Sequence, residues 1–190
     1  MDLQEAVRGS VNGERPAQRE LFCLCRATVW RLVWRILGPV RKEQVDDVVQ
    51  DALLQLYRTI GQFRWESSFD TWLYRIVART CMDALRRKYR KVERAVDRSG
   101  DVDSMADPQG RPDILAEQSE VSEAVRSALG SIGDERRAVF VLVDMEGKSL
   151  EEAAGILGRP VGTVKSRLFR ARSDLARILG PVLNEHMDNG

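Results

Sequence analysis

Residues 149–172 read SLEEAAGILGRPVGTVKSRLFRAR, and this stretch decides the fold class. Ser149 stands three positions before Glu152, which is the capping-box pattern of a helix start. A short apolar helix follows, and the segment 158–160, with its glycine and proline, interrupts the pattern before a second helix begins at Val161. Two short helices joined by a glycine-containing turn predict a helix-turn-helix unit.

The second helix of this unit has two unlike faces. Its apolar residues recur at helical spacing and predict an inward stripe. That stripe consists of Val161, Val164, Leu168, Ala171 and Leu175. The residues mostly outside it are Lys165, Ser166, Arg167, Phe169, Arg170 and Arg172. Arginine can read guanine with two hydrogen bonds, so this face favours binding in the DNA major groove. The alternative is an ordinary solvated cationic helix.

The rest of the chain is also helical in pattern, because apolar residues recur at spacings of three and four. The predicted helices run from Leu21 to Gly38-Pro39, from Lys42 to Ile60, from Asp70 to Lys91, over 114–129 and 134–146, and from Val161 towards Leu179. The β-branched run Val139–Val143 resembles a strand, but its flanks favour a short buried helix. We also expect Asp134 to cap the helix that it begins. The sequence therefore predicts an all-α protein.

Charge divides the 190 residues into unequal parts. Residues 1–91 carry 17 basic and 11 acidic side chains, whereas residues 92–123 carry 3 and 9. The acidic stretch is rich in Gly, Pro, Ser and Asp and lacks a sustained period, which is typical of a mobile linker. Its acidity can reflect simple solvation, or the segment can lie in a basic channel as a nucleic-acid mimic. We predict two small helical domains, 1–91 and 120–180, a flexible acidic linker at 92–119 and a polar tail at 181–190.

Aromatic and basic residues are crowded together in the N-terminal part of the chain. The aromatic residues are Phe63, Trp65, Phe69, Trp72 and Tyr74, and the arginines beside them are Arg64, Arg75 and Arg79. Rings that stack on bases and cations that follow phosphates are the elements of a single-stranded nucleic-acid site. The loop 64–68 could also hold one extruded base. A hydrophobic core with surface arginines is the competing interpretation.

Several classes of site and location find no support in the composition. Three cysteines, Cys23, Cys25 and Cys81, and the single histidine His186 offer little for a metal site, so we expect none, and no cofactor. Two cysteines two positions apart on a helix face different sides. No phosphate-binding glycine loop is present, and we expect no catalytic activity. Without an 18-residue apolar run or a secretion signal, we expect no membrane insertion and a cytoplasmic location.

Two motifs in this order resemble bacterial extracytoplasmic-function (ECF) sigma factors. Residues 46–51, DDVVQD, and 63–76, FRWESSFDTWLYRI, are similar to conserved region 2 of that family. Residues 144–154, DMEGKSLEEAA, and 161–172, VGTVKSRLFRAR, are similar to region 4. The resemblance covers roughly 17–91 and 120–178. It implies a protein that brings core RNA polymerase to promoters and helps to open the DNA, usually under the control of an anti-sigma factor.

The resemblance also implies roles for particular residues. Binding to core polymerase, on the clamp helices of its β′ subunit and on its β subunit, would involve Asp47, Gln50, Asp51 and Leu54. Capture and melting of the −10 element would involve Arg64, Trp65, Ser67, Ser68, Phe69, Trp72, Arg75, Arg79, Arg86 and Arg87. Reading of the −35 element would involve Thr163, Lys165, Ser166, Arg167, Phe169 and Arg170.

Two other kinds of protein remain compatible with the residues. The first is a stand-alone helix-turn-helix regulator, which would bind duplex operators without polymerase, usually as a dimer. The second is a protein-interaction module that binds no DNA. The sequence also departs from the family where many members carry a Leu-Pro pair, because this chain has Ser131-Ile132-Gly133-Asp134 there.

Overall fold

The computed structural model describes residues 1–94 and 120–188, and its regular structure is helical throughout. The α-helices of the described residues are α1 Leu3–Val11, α2 Arg15–Arg41, α3 Val45–Thr59, α4 Phe69–Arg94, α5 Glu120–Ser131, α6 Asp134–Phe140, α7 Leu150–Leu157 and α8 Val161–Asp188. Short 3₁₀ turns at Lys42–Gln44 and Ile60–Gln62 flank α3, and a π-helical turn at Val141–Met145 follows α6. No strand occurs among these residues, so the all-α prediction is confirmed.

The helices form two halves that share one core. In the N-terminal half, α2 packs against α1, α3 and α4; in the C-terminal half, α8 packs against α5, α6 and α7. Contacts between α4 and α7, α4 and α6, and α2 and α5 join the halves. One apolar cluster includes Val33 and Val77 from the first half and Val139 and Leu142 from the second, all fully buried. Burial of apolar area therefore holds the two halves together.

Helix α2 continues through Gly38-Pro39, so the prediction that it ends there is wrong. A proline inside a helix removes one backbone hydrogen bond, and its ring disturbs the preceding turn. Tertiary contacts hold this turn in place: Ile36 and Leu37 are fully buried, and the Arg41 side chain donates to the carbonyl oxygens of Ala84 and Leu85 at 3.4 and 3.5 Å. Packing therefore overrides the local signal.

The end of the chain shows the same effect. Helix α8 passes through Gly180-Pro181 and reaches Asp188, so the prediction of a last helix stopping near Leu179 is wrong. Ile178 and Leu179 pack against a second apolar cluster, which contains Leu129 and Leu175. The prediction had also missed α1. Asp2 and Glu5 form a capping box there, and Ala6 and Val7 are buried.

The predicted linker falls largely outside the described residues. Residues 92–94 continue α4, and 95–119 are not described, so the mobility of this segment and the role of its acidity stay predictions. Within the described ranges, the helices are too short or too polar to cross a lipid bilayer.

A buried arginine lies where the two halves meet. The Arg137 side chain is completely buried, and its guanidinium donates to four oxygen acceptors. One is the carbonyl of Ile36 in α2, at 2.7 Å. The others belong to the C-terminal half: the carbonyls of Leu129 and Ile132, at 3.2 and 3.1 Å, and the Asp134 carboxylate. A buried cation is tolerated only with such partners.

This arrangement also corrects a prediction about Asp134. The residue before α6 is Gly133, whose position provides no side-chain cap. The Asp134 carboxylate instead forms an ion pair with Arg137, three positions later. The side chain expected to cap the helix therefore neutralises the buried guanidinium.

We predict that Arg137→Ala lowers the free energy of unfolding by about 3 kcal/mol or more, because it leaves buried carbonyls without a donor. Urea denaturation followed by circular dichroism measures this change. The control is Arg136→Ala, which removes a partly exposed ion pair with Asp174 and should cost about 1 kcal/mol or less. Equal losses in the two variants would show that Arg137 has no special structural role.

Candidate nucleic-acid interface

The helix-turn-helix unit forms as the sequence predicts. The Ser149 hydroxyl accepts from the Glu152 amide at 3.1 Å, and the Glu152 carboxylate accepts from the Ser149 amide at 2.9 Å. These hydrogen bonds with Ser149 lower the pKa of Glu152. Gly158 ends α7 in the left-handed conformation, with φ of 61°, which glycine adopts without strain. The capping box defines the start of α7, and this glycine defines its end and the turn that leads into α8.

Most of the predicted DNA-reading residues lie on the outer face of α8. Lys165, Ser166 and Arg170 are exposed, and Phe169 is 75% exposed. The Ser166 hydroxyl donates to the Thr163 carbonyl at 3.0 Å, and Thr163 is half-buried. A large aromatic ring this exposed between basic side chains suits contact with thymine methyl groups and the DNA backbone.

Two residues of α8 depart from the expected pattern. Arg167 is half-buried and forms an ion pair with Glu135, which also accepts from Arg159 at 3.0 Å. Its guanidinium is therefore engaged within the protein. Val161, predicted to face inwards, is 39% exposed, whereas Val164, Leu168, Ala171 and Leu175 are buried. The first turn of α8 protrudes beyond the core, which explains why Val161, alone among the five residues predicted to face inwards, is exposed.

The aromatic residues before α4 meet around one ring. Phe63 is 4% exposed, and its ring centroid lies 5.0 Å from Trp65, 5.9 Å from Phe69 and 5.3 Å from Trp72. The Ser68 hydroxyl begins α4, since it accepts from the Thr71 amide at 3.1 Å. Phe63 therefore belongs to the core, while the loop above it carries an accessible ring, and the single-stranded nucleic-acid site stays a prediction.

That accessible ring belongs to Trp65. The side chain is 50% exposed. Its backbone φ is 61°, and among the described residues Trp65 alone combines a positive φ with a side chain other than glycine's. A left-handed conformation costs a residue with a β-carbon about 1–2 kcal/mol. The neighbouring Arg64 and Ser68 are exposed and Ser67 is half-buried, so the loop presents polar groups around the ring. Strain of this kind is often retained where a side chain must be presented to a ligand.

A row of arginines follows the loop along α4. Arg75, Arg79, Arg86 and Arg87 are all exposed, and Arg86 forms an ion pair with Asp83 at 3.1 Å. Among the described residues, neither Arg75 nor Arg79 forms an ion pair. Both line a polar groove of about 650 Å³ between α3 and α4. Such a groove can accommodate the phosphates of a single strand beside the Trp65 loop.

The predicted polymerase-binding residues lie on the outer side of α3. Asp47, Gln50 and Asp51 are exposed, and Leu54 is 48% exposed. Asp51 and Leu54 also line the groove that contains Arg75 and Arg79. The structure thus brings the predicted polymerase surface and the predicted −10 surface to adjacent sides of one helix pair.

The cysteines do not contribute to these surfaces. Cys23 is exposed and Cys25 is buried, as expected for opposite sides of a helix. Burial raises the pKa of Cys25 and of Cys81 to about 12, so both thiols stay protonated at neutral pH.

Comparison with known proteins accounts for both halves of this structure. Residues 21–91 match the family model for Sigma-70 region 2, and residues 122–175 match that for Sigma-70, region 4. The chain is 38% identical over 176 residues to the ECF RNA polymerase sigma factor SigM of Mycobacterium tuberculosis, covering 93% of this chain and 84% of SigM. The chain belongs to the ECF sigma factor family.

Solved structures agree with this assignment at the level of the fold. A sigma factor RpoE from Bartonella quintana, in complex with the anti-sigma factor NepR, gives a TM-score of 0.65 at 23% identity, over 85% of this chain and 96% of RpoE. CnrH, in complex with the cytosolic domain of CnrY, gives a TM-score of 0.62 at 23% identity, over 95% of this chain and 99% of CnrH. These likenesses confirm the helical sigma-factor fold.

The sequence did not reveal the polar residues that join the two halves of this sigma factor. Glu146 accepts from Tyr74, Arg31 and Arg35, and Lys148 pairs with Asp70. Burial and the Glu146 carboxylate raise the pKa of Tyr74, which keeps its hydroxyl protonated as a donor. These partners are at least 70 positions apart in the chain, so no local pattern could pair them.

We predict that Trp65→Gly leaves this sigma factor about 1 kcal/mol more stable than Trp65→Ala. Both variants lose the ring, but alanine keeps the left-handed strain and glycine removes it. Thermal or urea unfolding of the two variants gives the difference directly. Equal stabilities would mean that the loop relaxes and that the conformation of Trp65 stores no strain.

Proposed function

We propose that this sigma factor binds core RNA polymerase through the outer side of α3, with Asp47, Gln50, Asp51 and Leu54 in contact with the clamp helices of β′. The β subunit is the second polymerase contact in this proposal. The support is the exposure of all four residues on one helix and the family to which the chain belongs. Exposed acids beside an apolar Leu54 suit a basic partner with an apolar centre.

The −10 element is bound in the proposal by the Trp65 loop and the arginine row of α4. One base leaves the duplex and stacks on the loop, while Arg75 and Arg79 follow the phosphates. Stacking contributes about 1–3 kcal/mol per base, which is similar to the cost of unstacking one. The sigma factor therefore favours opened DNA but needs polymerase contacts to open it.

The −35 element is read in the proposal by α8 in the major groove, with Lys165, Ser166, Phe169 and Arg170 nearest the bases. Thr163 and Arg167 lie at the edge of this face, and Arg167 must first leave Glu135 to reach the DNA. The protein acts by binding and orienting, and core polymerase performs the chemistry.

The observation that carries this proposal is the presence on one chain of two unlike exposed surfaces, each with the chemistry to bind DNA. One presents an exposed tryptophan beside exposed arginines, as single strands require, and the other presents a basic recognition helix, as a duplex requires. A stand-alone duplex regulator needs only the second surface. We also propose control by an anti-sigma factor and a cytoplasmic location, where polymerase works. Two proteins of similar fold, RpoE and CnrH, were each solved with a partner, which is named as an anti-sigma factor in the case of RpoE.

The test is transcription with purified core polymerase on a library of genomic promoter fragments. The proposal predicts discrete run-off products that require this chain, and those products also reveal the promoter sequence. If the chain fails to bind core polymerase but binds duplex DNA tightly by itself, the stand-alone regulator is the correct assignment.

For the −35 surface, we predict that Arg170→Ala weakens promoter binding by the holoenzyme by about 1–3 kcal/mol and reduces discrimination at one base position. Binding to wild-type and singly mutated −35 sequences measures both effects. The control is Arg177→Ala, an exposed arginine two turns further along α8. A loss of affinity that is equal for all sequences would reduce Arg170 to a phosphate contact.

For the polymerase surface, we predict that Asp51→Arg weakens binding to core polymerase roughly tenfold, because it reverses one charge in a complementary interface. Fluorescence anisotropy with labelled sigma factor measures the affinity. Glu43→Arg is the control, since Glu43 is an exposed acid just before α3. Unchanged affinity in Asp51→Arg, or an equal loss in both, would contradict the assigned surface.

A further inference from the structure

A cleft of about 450 Å³ opens between α4 on one side and α6 and α7 on the other. Its volume falls within the range of about 300–1,000 Å³ that is usual for small-molecule sites. The proposed function gives this cleft no ligand of its own. Its lining combines an aliphatic floor with a cationic rim, and each part restricts the chemistry of a ligand.

The floor of the cleft is aliphatic. Ala78, Leu85, Ala138 and Ile156 are buried there, and Met82 is half-buried. Among the described residues that line the cleft there is no aromatic ring, so a nucleobase would find no stacking partner. A flexible hydrocarbon chain suits aliphatic side chains and the adaptable thioether of methionine. The floor therefore favours an alkyl chain.

The acidic side chains of the lining are already neutralised by arginines of the protein. Asp134 forms an ion pair with Arg137. Glu135 forms ion pairs with both Arg159 and Arg167. Neither carboxylate therefore repels an anion in the cleft as strongly as an isolated acid would.

Two arginines of α4 supply the uncompensated charge of the rim. Arg75 and Arg79 line the cleft and are exposed, and within the described ranges neither of them forms an ion pair. Guanidinium groups bind carboxylates with two parallel hydrogen bonds. Unpaired guanidinium groups above an aliphatic floor are complementary to a ligand with a negative head and an apolar tail.

A glycine leaves room beside one of these arginines. Gly155 lies within α7, where glycine is less favourable than alanine. A β-carbon added at Gly155 would lie 4.0 Å from Nη2 of Arg75, which is an ordinary van der Waals contact. The missing side chain thus leaves space next to the Arg75 guanidinium, and a larger side chain at this position would occupy it.

We propose that this cleft binds a small anionic amphiphile, namely a carboxylate with a medium-length alkyl chain. The carboxylate pairs with the guanidinium groups of Arg75 and Arg79, and the chain covers Met82 and Ile156. Burial of the alkyl carbons and pairing of the carboxylate both contribute, so neither part of the ligand binds well alone. The binding of this ligand does not depend on the proposed function.

Isothermal titration calorimetry of the full chain with decanoate tests the proposal. Decanol provides the chain without the charge, and acetate provides the charge without the chain, each below its solubility or micelle limit. We expect saturable binding of decanoate and roughly tenfold or weaker binding of both analogues. The proposal is overturned if decanoate does not saturate a site, or if decanol binds equally well, because the arginines would then have no role.

The position of the site is tested by Gly155→Leu, with Gly155→Ala as the matched control. Both substitutions favour the helix, and circular dichroism shows that it remains folded. Leucine fills the space beside Arg75, whereas alanine adds only the β-carbon for which there is room. We expect Gly155→Leu to weaken decanoate binding roughly tenfold and Gly155→Ala to change it little. Equal affinities of Gly155→Leu and wild type would place decanoate elsewhere and reject the cleft.

Titration with ATP decides between an alkyl ligand and a nucleotide. ATP carries more negative charge than decanoate, but its base needs a ring on which to stack. We expect ATP to bind more weakly than decanoate. If ATP instead binds more tightly, and Gly155→Leu removes that binding, the cleft is a nucleotide site and the proposal is wrong.

Occupation of the cleft has one consequence that rests on the proposed function. Arg75 and Arg79 line both this cleft and the groove between α3 and α4 that is proposed for the −10 element. A bound carboxylate should therefore compete with DNA phosphates, so decanoate should lower run-off transcription with wild type more than with Gly155→Leu. Equal inhibition of the two would reject this competition. If wild type fails to transcribe at all, the proposed function fails, and calorimetry still decides whether the cleft binds the amphiphile.

Discussion

A charge that leaves water must find partners, and two such charges fix the arrangement of this sigma factor. Arg137 is completely buried and organises the C-terminal half around its guanidinium, with one further contact to α2. Glu146 is nearly as buried and depends on donors from the other half. The contacts of Arg137 stabilise the C-terminal half, and the contacts of Glu146 determine how that half packs against the N-terminal half. Apolar burial supplies the attraction, while the charges select one orientation from many that would bury similar area.

This arrangement leaves the individual candidate contact surfaces accessible. The outer face of α8, the Trp65 loop and the outer side of α3 are exposed in the structure. Each surface is therefore open to a partner in this arrangement, as the proposed function requires.

Sequence reasoning succeeded where the signals were local and failed where distant contacts decided. The capping box at Ser149 and the left-handed Gly158 define the helix-turn-helix, and both were readable from a dozen residues. The glycine-proline pairs at 38–39 and 180–181 predicted helix ends, but packing carries α2 and α8 through them. Asp134 has the chemistry of a cap and is instead paired with Arg137. The exposure of Trp65 and the partners of Glu146 depend on tertiary structure, so the sequence could not reveal them.

The distance between the two halves, measured by single-molecule energy transfer, tests most directly whether this sigma factor must open to bind a promoter. Dyes on cysteines placed at Gln4 and Ser173, both exposed, report on the two halves after Cys23→Ser. We expect one population below about 45 Å in the free chain, since a compact molecule of this length is about 40 Å across. With core polymerase and promoter DNA, a population beyond about 55 Å should replace it, because the two elements lie far apart on the duplex. A free chain that already shows the long distance would show that the two halves do not hold together in solution.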